Sequence, residues 1–463
     1  MLIAQSSQPS LEQITSLAKR RGFVYQTSSI YGGLTSSYDL GPLGTELMRN
    51  IRAAWWEFFI SRRPDMVGLD SQIMLHPQTW VASGHVASFS DPLVEDTVTK
   101  KRYRADHLIE AWLNKHPDSS IVVETMDLTA MAVFLTEHNV LSPDGNAITE
   151  PKSFNLLFET EIGSVAGDKA KVYLRGETAQ GIFTNFKNIL DSTRVQLPFG
   201  VGQIGKSFRN EITTGQFVFR TLEFEQAEIE YFFNPQQTDW KVLFKEWQDL
   251  MWEFVTEVIG IQPKNLRWRT HTDTERSFYS LETMDLEYLF SFGWKELWGI
   301  AYRTDYDLKQ HEVLSGESLH YTDPHSGESF IPHVIEPALG LSRLFLMLLT
   351  DSYIVDTERN RTVLRLPKSL APTRAAVFPL VRNKPELVAA AKDIWQTLAP
   401  HHRVSWDDRG NIGKRYLYQD EVGTPYCITV DYQTLEDQTV TIRERDTATQ
   451  QRIAISKLIE FLR

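Results

Sequence analysis

Two strand-like stretches that carry charge where a strand should be greasy constrain this chain most: Phe208-Arg-Asn-Glu211 and, after seven loop-like residues, Phe219-Arg-Thr-Leu-Glu-Phe-Glu-Gln-Ala-Glu228. Side chains alternate along a strand. The spacing therefore predicts Arg209 and Glu211 on one face of the first strand, and Arg220, Phe224, Gln226 and Glu228 on one face of the second. Such a face suits a polyanion, because guanidinium groups fork onto phosphate oxygens and an aromatic ring gives a base a stacking surface. A solvated hairpin with cross-strand ion pairs explains the same pattern. The hairpin alone does not choose between them.

Two further segments do. Ile331-Pro-His-Val-Ile-Glu-Pro-Ala-Leu-Gly-Leu-Ser-Arg343 runs from a β-branched strand through Pro337 and Gly340 into an apolar helix from Leu344 to Leu349, with Arg343 in its first turn. A cation there opposes the helix macrodipole, so an anionic ligand held by the free backbone amides of that terminus explains it better. In Tyr173-Leu-Arg-Gly-Glu-Thr-Ala-Gln-Gly-Ile-Phe183, Arg175 and Glu177 sit at a glycine-marked turn between strand-like and helix-like residues.

These blocks, with Thr35 to Gly44, the helix Leu47 to Ile60, Trp80 to His85 and Phe292-Gly-Trp-Lys-Glu-Leu-Trp-Gly-Ile-Ala301, make the chain resemble the class II (class IIa) aminoacyl-tRNA synthetases, and among them the homodimeric glycyl-tRNA synthetases, over nearly its whole length. The resemblance implies an α+β catalytic domain over residues 1–368 whose mainly antiparallel sheet is flanked by helices. An insertion at about 86–165 would approach the tRNA acceptor arm, and an α/β anticodon-binding-type domain would occupy 369–463. It implies a cytoplasmic homodimer that ligates glycine to tRNA(Gly) through a glycyl-adenylate, using ATP with Mg2+. Chemistry of this kind asks the protein for alignment and charge neutralisation more than for covalent participation.

By the same resemblance, Arg209 would bind the α-phosphate and Arg343 the terminal phosphate, as the two catalytic arginines. Phe224 would stack on adenine and Glu211 accept from its amine, with Asn210, Phe219, Arg220, Leu297 and Gly340 completing the ATP site. Glu296 would be a Mg2+ ligand, since that ion takes hard oxygen donors. Glycine has no side chain to grasp, so Glu177, Glu228 and Glu336 would surround its ammonium, with Arg104, Phe224, Glu225, Gln226 and Gly340 beside them. Burying three carboxylates together is costly without a compensating cation. Two departures from the family stand out. The paired cysteines of many relatives are replaced by Val94-Glu-Asp-Thr-Val-Thr-Lys100, so no zinc is expected, and Ala338 replaces a serine that follows the family's Glu-Pro.

The 463 residues suffice for two or three domains. A net charge of −12 argues against a nucleic-acid partner, but the distribution softens this: residues 371–463 carry 13 basic and 12 acidic side chains, and residues 1–370 carry 35 and 48. No run approaches the ~20 apolar residues of a membrane helix. Met1-Leu-Ile-Ala-Gln-Ser-Ser7 lacks the features of a signal peptide. The single cysteine, Cys427, lies in an apolar run and reads as a buried small hydrophobe.

Periodicity predicts helices over 11–21 and Glu46 to Ile60 and a strand from Met66 to Leu75. Within the insertion it predicts a basic run at Lys100 to Arg104, a helix from Ala105 to Asn114 and a break at 143–146. The helix Glu46 to Ile60 suits a subunit interface, as in the family, or the core of its own domain. After the boundary at Leu366 to Pro372 come strand (Ala375 to Leu380), helix (Pro385 to Leu398), strand (Val404 to Trp406), helix, two strands (Tyr426 to Asp431, Thr439 to Arg443) and a last helix (Gln450 to Leu462), hence a mixed sheet. There Arg415, Arg443 and Arg445 read either as ligand contacts or as partners for Asp420, Glu421 and Glu444. Two other functions share these features: a threonine or proline synthetase of the same class, and a non-catalytic nucleic-acid-binding subunit descended from a synthetase.

Overall fold

The structure is a computed structural model that describes residues 8–116, 121, 123–163, 170–212, 214–273, 275–277 and 279–463. The amino-terminal heptapeptide and parts of the insertion (117–120, 122, 164–165), on which expectations above fall, lie outside the described residues.

Alternation along Glu223–Phe233 organises the larger part of the molecule. Ala227, Ile229, Tyr231 and Phe233 enter a core with Trp55, Phe59, Trp247 and Trp298, while Gln226, Glu228 and Glu230 point to the other face. The strand is the third from one edge of a seven-stranded sheet, in the order Leu266–Thr270, Glu282–Phe290, Gly293–Thr304, His333–Gly340, Glu223–Phe233, Phe199–Phe208 and Met66–Gly68. All neighbours are antiparallel except the last pair. Helices Pro42–Trp56, Trp240–Glu253 and Leu341–Ser352 supply the apolar cover of the core face. Truncating a side chain as enclosed as Trp298, which is fully buried, costs about 3–5 kcal/mol. On the second face, Phe183, Phe186, Phe199 and Phe232 close one end as a smaller core. The other end stays polar.

The helix predicted from Glu46 starts earlier, at Pro42, because proline is well placed in a first helical turn. Its stripe of Leu47, Ile51 and Trp55 is spent on its own domain's core. The strand expected from Met66 to Leu75 is two: Met66–Gly68 joins the large sheet, whereas Met74–Leu75 pairs with Ala170–Leu174 in a separate three-stranded one. In the insertion, Ser90–Glu95 lies between Arg102–Arg104 and Lys152–Asn155. Helices Ala105–Leu113 and Leu128–Glu137 pack there around Val94, Ile109 and Phe134, a core of its own.

The carboxy-terminal sheet is mixed as expected, in the order Val404–Trp406, Ala375–Pro379, Tyr426–Val430, Thr439–Glu444, Gln450–Ala454. Its end corrects the sequence reading, since Gln450–Ala454 is a strand and only Leu458–Phe461 is α-helical. The turn between the last two strands brings Gln450 back opposite Arg443, and ladder pairing outweighs the helical propensity of so short a segment. The arginines singled out above, Arg415, Arg443 and Arg445, are buried and donate within the protein. Arg443 holds both oxygens of Asp420 at 2.7 and 3.0 Å, Arg415 donates to the carbonyls of Pro379 and Leu380, and Arg445 donates to those of Gly423 and Leu366. The other expected partners pair elsewhere, Glu421 with Arg20 and Arg21, and Glu444 with Lys368.

Candidate active site

The polar end of the second face encloses a cavity of about 240 Å3, walled by segments from across the larger domain. Glu177, Arg209, Arg220, Glu228, His271, Asp285, Glu296, Glu336 and Arg343 meet there.

Its basic end begins where the charged hairpin leaves the sheet. The first strand ends at Phe208, so Arg209 and Glu211 lie beyond it instead of alternating along it, and Arg220 precedes the second strand. The chain is drawn off the ladder because the Asn210 amide donates to the Leu156 carbonyl of the insertion. Gln216 and Phe217 then turn it with positive φ. Arg209 is held by Nε to the Gly176 carbonyl at 3.0 Å, with its guanidinium 5.3 Å from the Phe224 ring centre, a cation–π arrangement. Arg343 occupies the first turn of Leu341–Ser352, as predicted, with Nη1 2.8 Å from the Glu296 carboxylate and its guanidinium 4.7 Å from the Phe219 ring centre. Gly340 allows this approach: a Cβ there would stand 3.2 Å from Arg343 Cδ. Glu211 and Arg220 both reach the cavity but face each other, Arg220 Nε to Glu211 Oε2 at 3.0 Å.

At the acidic end the helix Ala179–Phe183 and three strands converge. Glu177, in the turn ahead of that helix, accepts from Gln180 Nε2 at 3.0 Å and faces His85 Nε2 at 3.2 Å and Arg303 Nη2 at 3.7 Å. Burial pushes its carboxyl up, but His85, Arg303 and Gln180 together outweigh this and hold it well below the usual carboxylate range. Glu228 accepts from the Thr178 amide at 3.0 Å and from its hydroxyl. Glu336 accepts from Arg303 Nη1 at 2.7 Å. Burial, joined by neighbouring carboxylates, raises the carboxyls of Glu228 and, further, Glu336. Among the described residues, Gln226 Oε1 at the same wall has no hydrogen-bond partner.

The compensating cation is Arg303, which is 1% exposed. It takes Asp307 in two bonds of 2.8 Å, and its guanidinium lies 3.9 Å from the Tyr279 ring centre. Sequence reading missed it, together with Asp307, His85 as the partner of Glu177, and Glu230. The signals were present: Arg303 and Asp307 at i,i+4, and Glu228-Ile-Glu230 at a spacing that puts both acids on one face.

Three expected site residues fall elsewhere, and a fourth, Glu225, borders the cavity with its carboxylate turned away. Arg104 is locked by Asp91 at 2.9 Å and by Asp106, outside the cavity. Leu297 alternates into the apolar core. Asn210 contributes the backbone contact above and does not line the cavity. Glu225 borders the cavity, but alternation sends its carboxylate to the opposite face, where Arg52 Nε and Nη2 hold it at 2.9 and 2.7 Å.

Two sets of acids can hold a cation. Asp285 and Glu296 approach one spot over Gly299, where an added Cβ would lie 3.8 and 3.9 Å from their oxygens. Both reach the cavity beside Arg343, and two carboxylates open to phosphate oxygens are the donors a hard divalent ion takes. Glu228, Glu230 and Glu336 form the other set, one oxygen of each lying within 4.8 Å of the rest.

Residues 374–463 match the family described as anticodon binding domain. The whole chain is similar to proteins named glycine–tRNA ligase: 46% identical to that of Alkaliphilus oremlandii over 99% of this chain and 98% of the relative, 48% to that of Caldanaerobacter subterraneus over 98% and 97%, and 46% to that of Bacillus cereus over 98% of both.

Proposed function

The chain belongs to the glycine–tRNA ligase family of aminoacyl-tRNA synthetases, and from that premise we propose that the cavity activates glycine with ATP and passes it from an enzyme-bound glycyl-adenylate to a tRNA terminal hydroxyl. One observation carries the reading: a single cavity is basic and aromatic at one end (Arg209, Arg343, Phe224) and acidic at the other (Glu177, Glu228, Glu336). Glycine's ammonium lies among the three glutamates. Its carboxylate is thereby aimed at the α-phosphorus, which Arg209 neutralises while Phe224 stacks on adenine and Arg343 takes the terminal phosphate. In-line attack then needs no covalent help from a side chain. Glu296 and Asp285 would hold Mg2+, which when bound neutralises phosphate charge. Ion pairing between Glu211 and Arg220 leaves Glu211 a free lone pair for the adenine amine.

We divide the chain near residue 368, a division supported by the separate cores on either side, and assign the carboxy-terminal part to the tRNA anticodon. The insertion, with Lys100 and Lys101 at its surface, would approach the acceptor arm. The homodimeric form is supported by Ile30 and Tyr31, large side chains left 85% and 87% exposed, and the class IIa assignment by the carboxy-terminal match to an anticodon binding domain. No helix among the described residues is long and apolar enough to cross a membrane, in keeping with work in the cytoplasm.

Pyrophosphate exchange into ATP, measured with each amino acid in turn, tests the reading. Dependence on glycine supports it. Dependence on threonine or proline, or no exchange at all, overturns it in favour of another synthetase or of a binding-only descendant.

A further inference from the structure

Phe89 does not line the cavity, yet its ring is one of two that hold an arginine of the basic end. The Arg209 guanidinium lies over the Phe89 ring at 5.1 Å and over the Phe224 ring at 5.3 Å from their centres. The neighbouring cations are held differently: Arg343 Nη1 meets the Glu296 carboxylate at 2.8 Å, and Arg220 Nε meets Glu211 at 3.0 Å. Among the described residues no carboxylate pairs with Arg209, whose Nε donates to the Gly176 carbonyl at 3.0 Å. The difference has a chemical use. A carboxylate would orient the guanidinium by cancelling its charge, whereas a ring face orients it through the quadrupole and leaves the charge to a phosphate.

The Phe89 ring is itself fixed. It packs against His85 with ring centres 5.1 Å apart and planes at 56°. Gly176 lets it reach the turn that carries Glu177, since a Cβ there would stand 3.2 Å from Phe89 Cε1. Its backbone is tied to that of the arginine: the Leu156 amide donates to the Phe89 carbonyl at 2.9 Å, and the Asn210 amide, next to Arg209, donates to the Leu156 carbonyl at 2.7 Å. Phe224 owes a face to adenine in the reading above, so Phe89 is the ring that stays with Arg209 once nucleotide is bound. We propose that Phe89 is a positioning residue for the reaction, setting the plane of the Arg209 guanidinium so that its terminal nitrogens face the α-phosphate. It follows the Trp80 to His85 block closely and gives the root of the insertion a part in activation.

This rests on the nucleotide half of the reading above, and the test is separable from glycine. Calorimetric binding of α,β-methylene-ATP with Mg2+, in the absence of any amino acid, reads the grip of Arg209 on phosphate. Phe89→Leu keeps an apolar filling without a ring face and should weaken binding about fivefold. A trifluorinated phenylalanine at position 89 keeps the shape but drains the negative face of the ring, and should weaken binding nearly as much, which a merely structural contact would not do. In an Arg209→Gln background neither change should cost anything further. An unimpaired F89L, a fluorinated ring as good as the native one, or the same loss in the R209Q background overturns the proposal. If F89L fails to fold, the fluorinated protein decides. Wild-type protein without glycine-dependent exchange, but with these nucleotide effects intact, counts against the functional reading alone, whereas wild-type protein that does not bind the nucleotide overturns both.

Discussion

Replacing Glu177 by glutamine isolates the charge of the acidic end from its shape. The amide fills the same volume, and its oxygen still accepts from Gln180, now 3.0 Å away. What disappears is a unit negative charge facing the ammonium site, one that His85 at 3.2 Å and Arg303 at 3.7 Å currently hold ionised. A hydrogen bond to a charged group contributes about 1.5–3 kcal/mol, so kcat/KM for glycine should fall about 10- to 150-fold. The basic end, built on Arg209 and Arg343, does not touch Glu177, and the KM for ATP should stay where it was. Initial rates of glycine-dependent pyrophosphate exchange over a range of glycine at saturating ATP, then of ATP at saturating glycine, measure both. A variant with unchanged kcat/KM for glycine, or one whose defect lies in ATP, would refute the assignment of Glu177 to the ammonium.

Ala338 stands opposite Glu228 in the sheet and lines the cavity, so Ala338→Ser should add a hydrogen bond worth about 1 kcal/mol and lower the KM for glycine about fivefold. Asp420 is fully buried and serves Arg443 and Arg361 together. Asp420→Asn should therefore cost about 3–5 kcal/mol, seen calorimetrically as earlier unfolding of the carboxy-terminal domain. Burial lowers the His311 imidazole below its usual range, with Nε2 2.8 Å from Gln180 Oε1. The unfolded chain then binds the proton more readily than the folded one, so this contribution to stability is complete above about pH 6.5 and is lost as pH falls through the folded value. The thermal midpoint should drop on acidification from neutrality, and His311→Gln should flatten that slope.

Much of this protein could be read from residue order alone. Strand and helix periods reflect local geometry, so the helix at 11–21, the first turn that carries Arg343, and the alternation of Phe224, Gln226 and Glu228 were visible without coordinates. So were the arginine and glutamate blocks that mark the family, because each is contiguous. What the fold alone decided is which charges meet. Arg303 becomes the counter-ion of Glu336, and Glu230 its cross-strand neighbour, only because strands distant in sequence lie side by side. Arg104 and Glu225 looked like substrate contacts until packing gave them to Asp106 and Arg52. Gln450–Ala454 carries no strong period of its own, and it is a strand because a partner ladder lies within reach. Coulombic and hydrogen-bonding energies depend on distance in space, which sequence spacing reports only within one element.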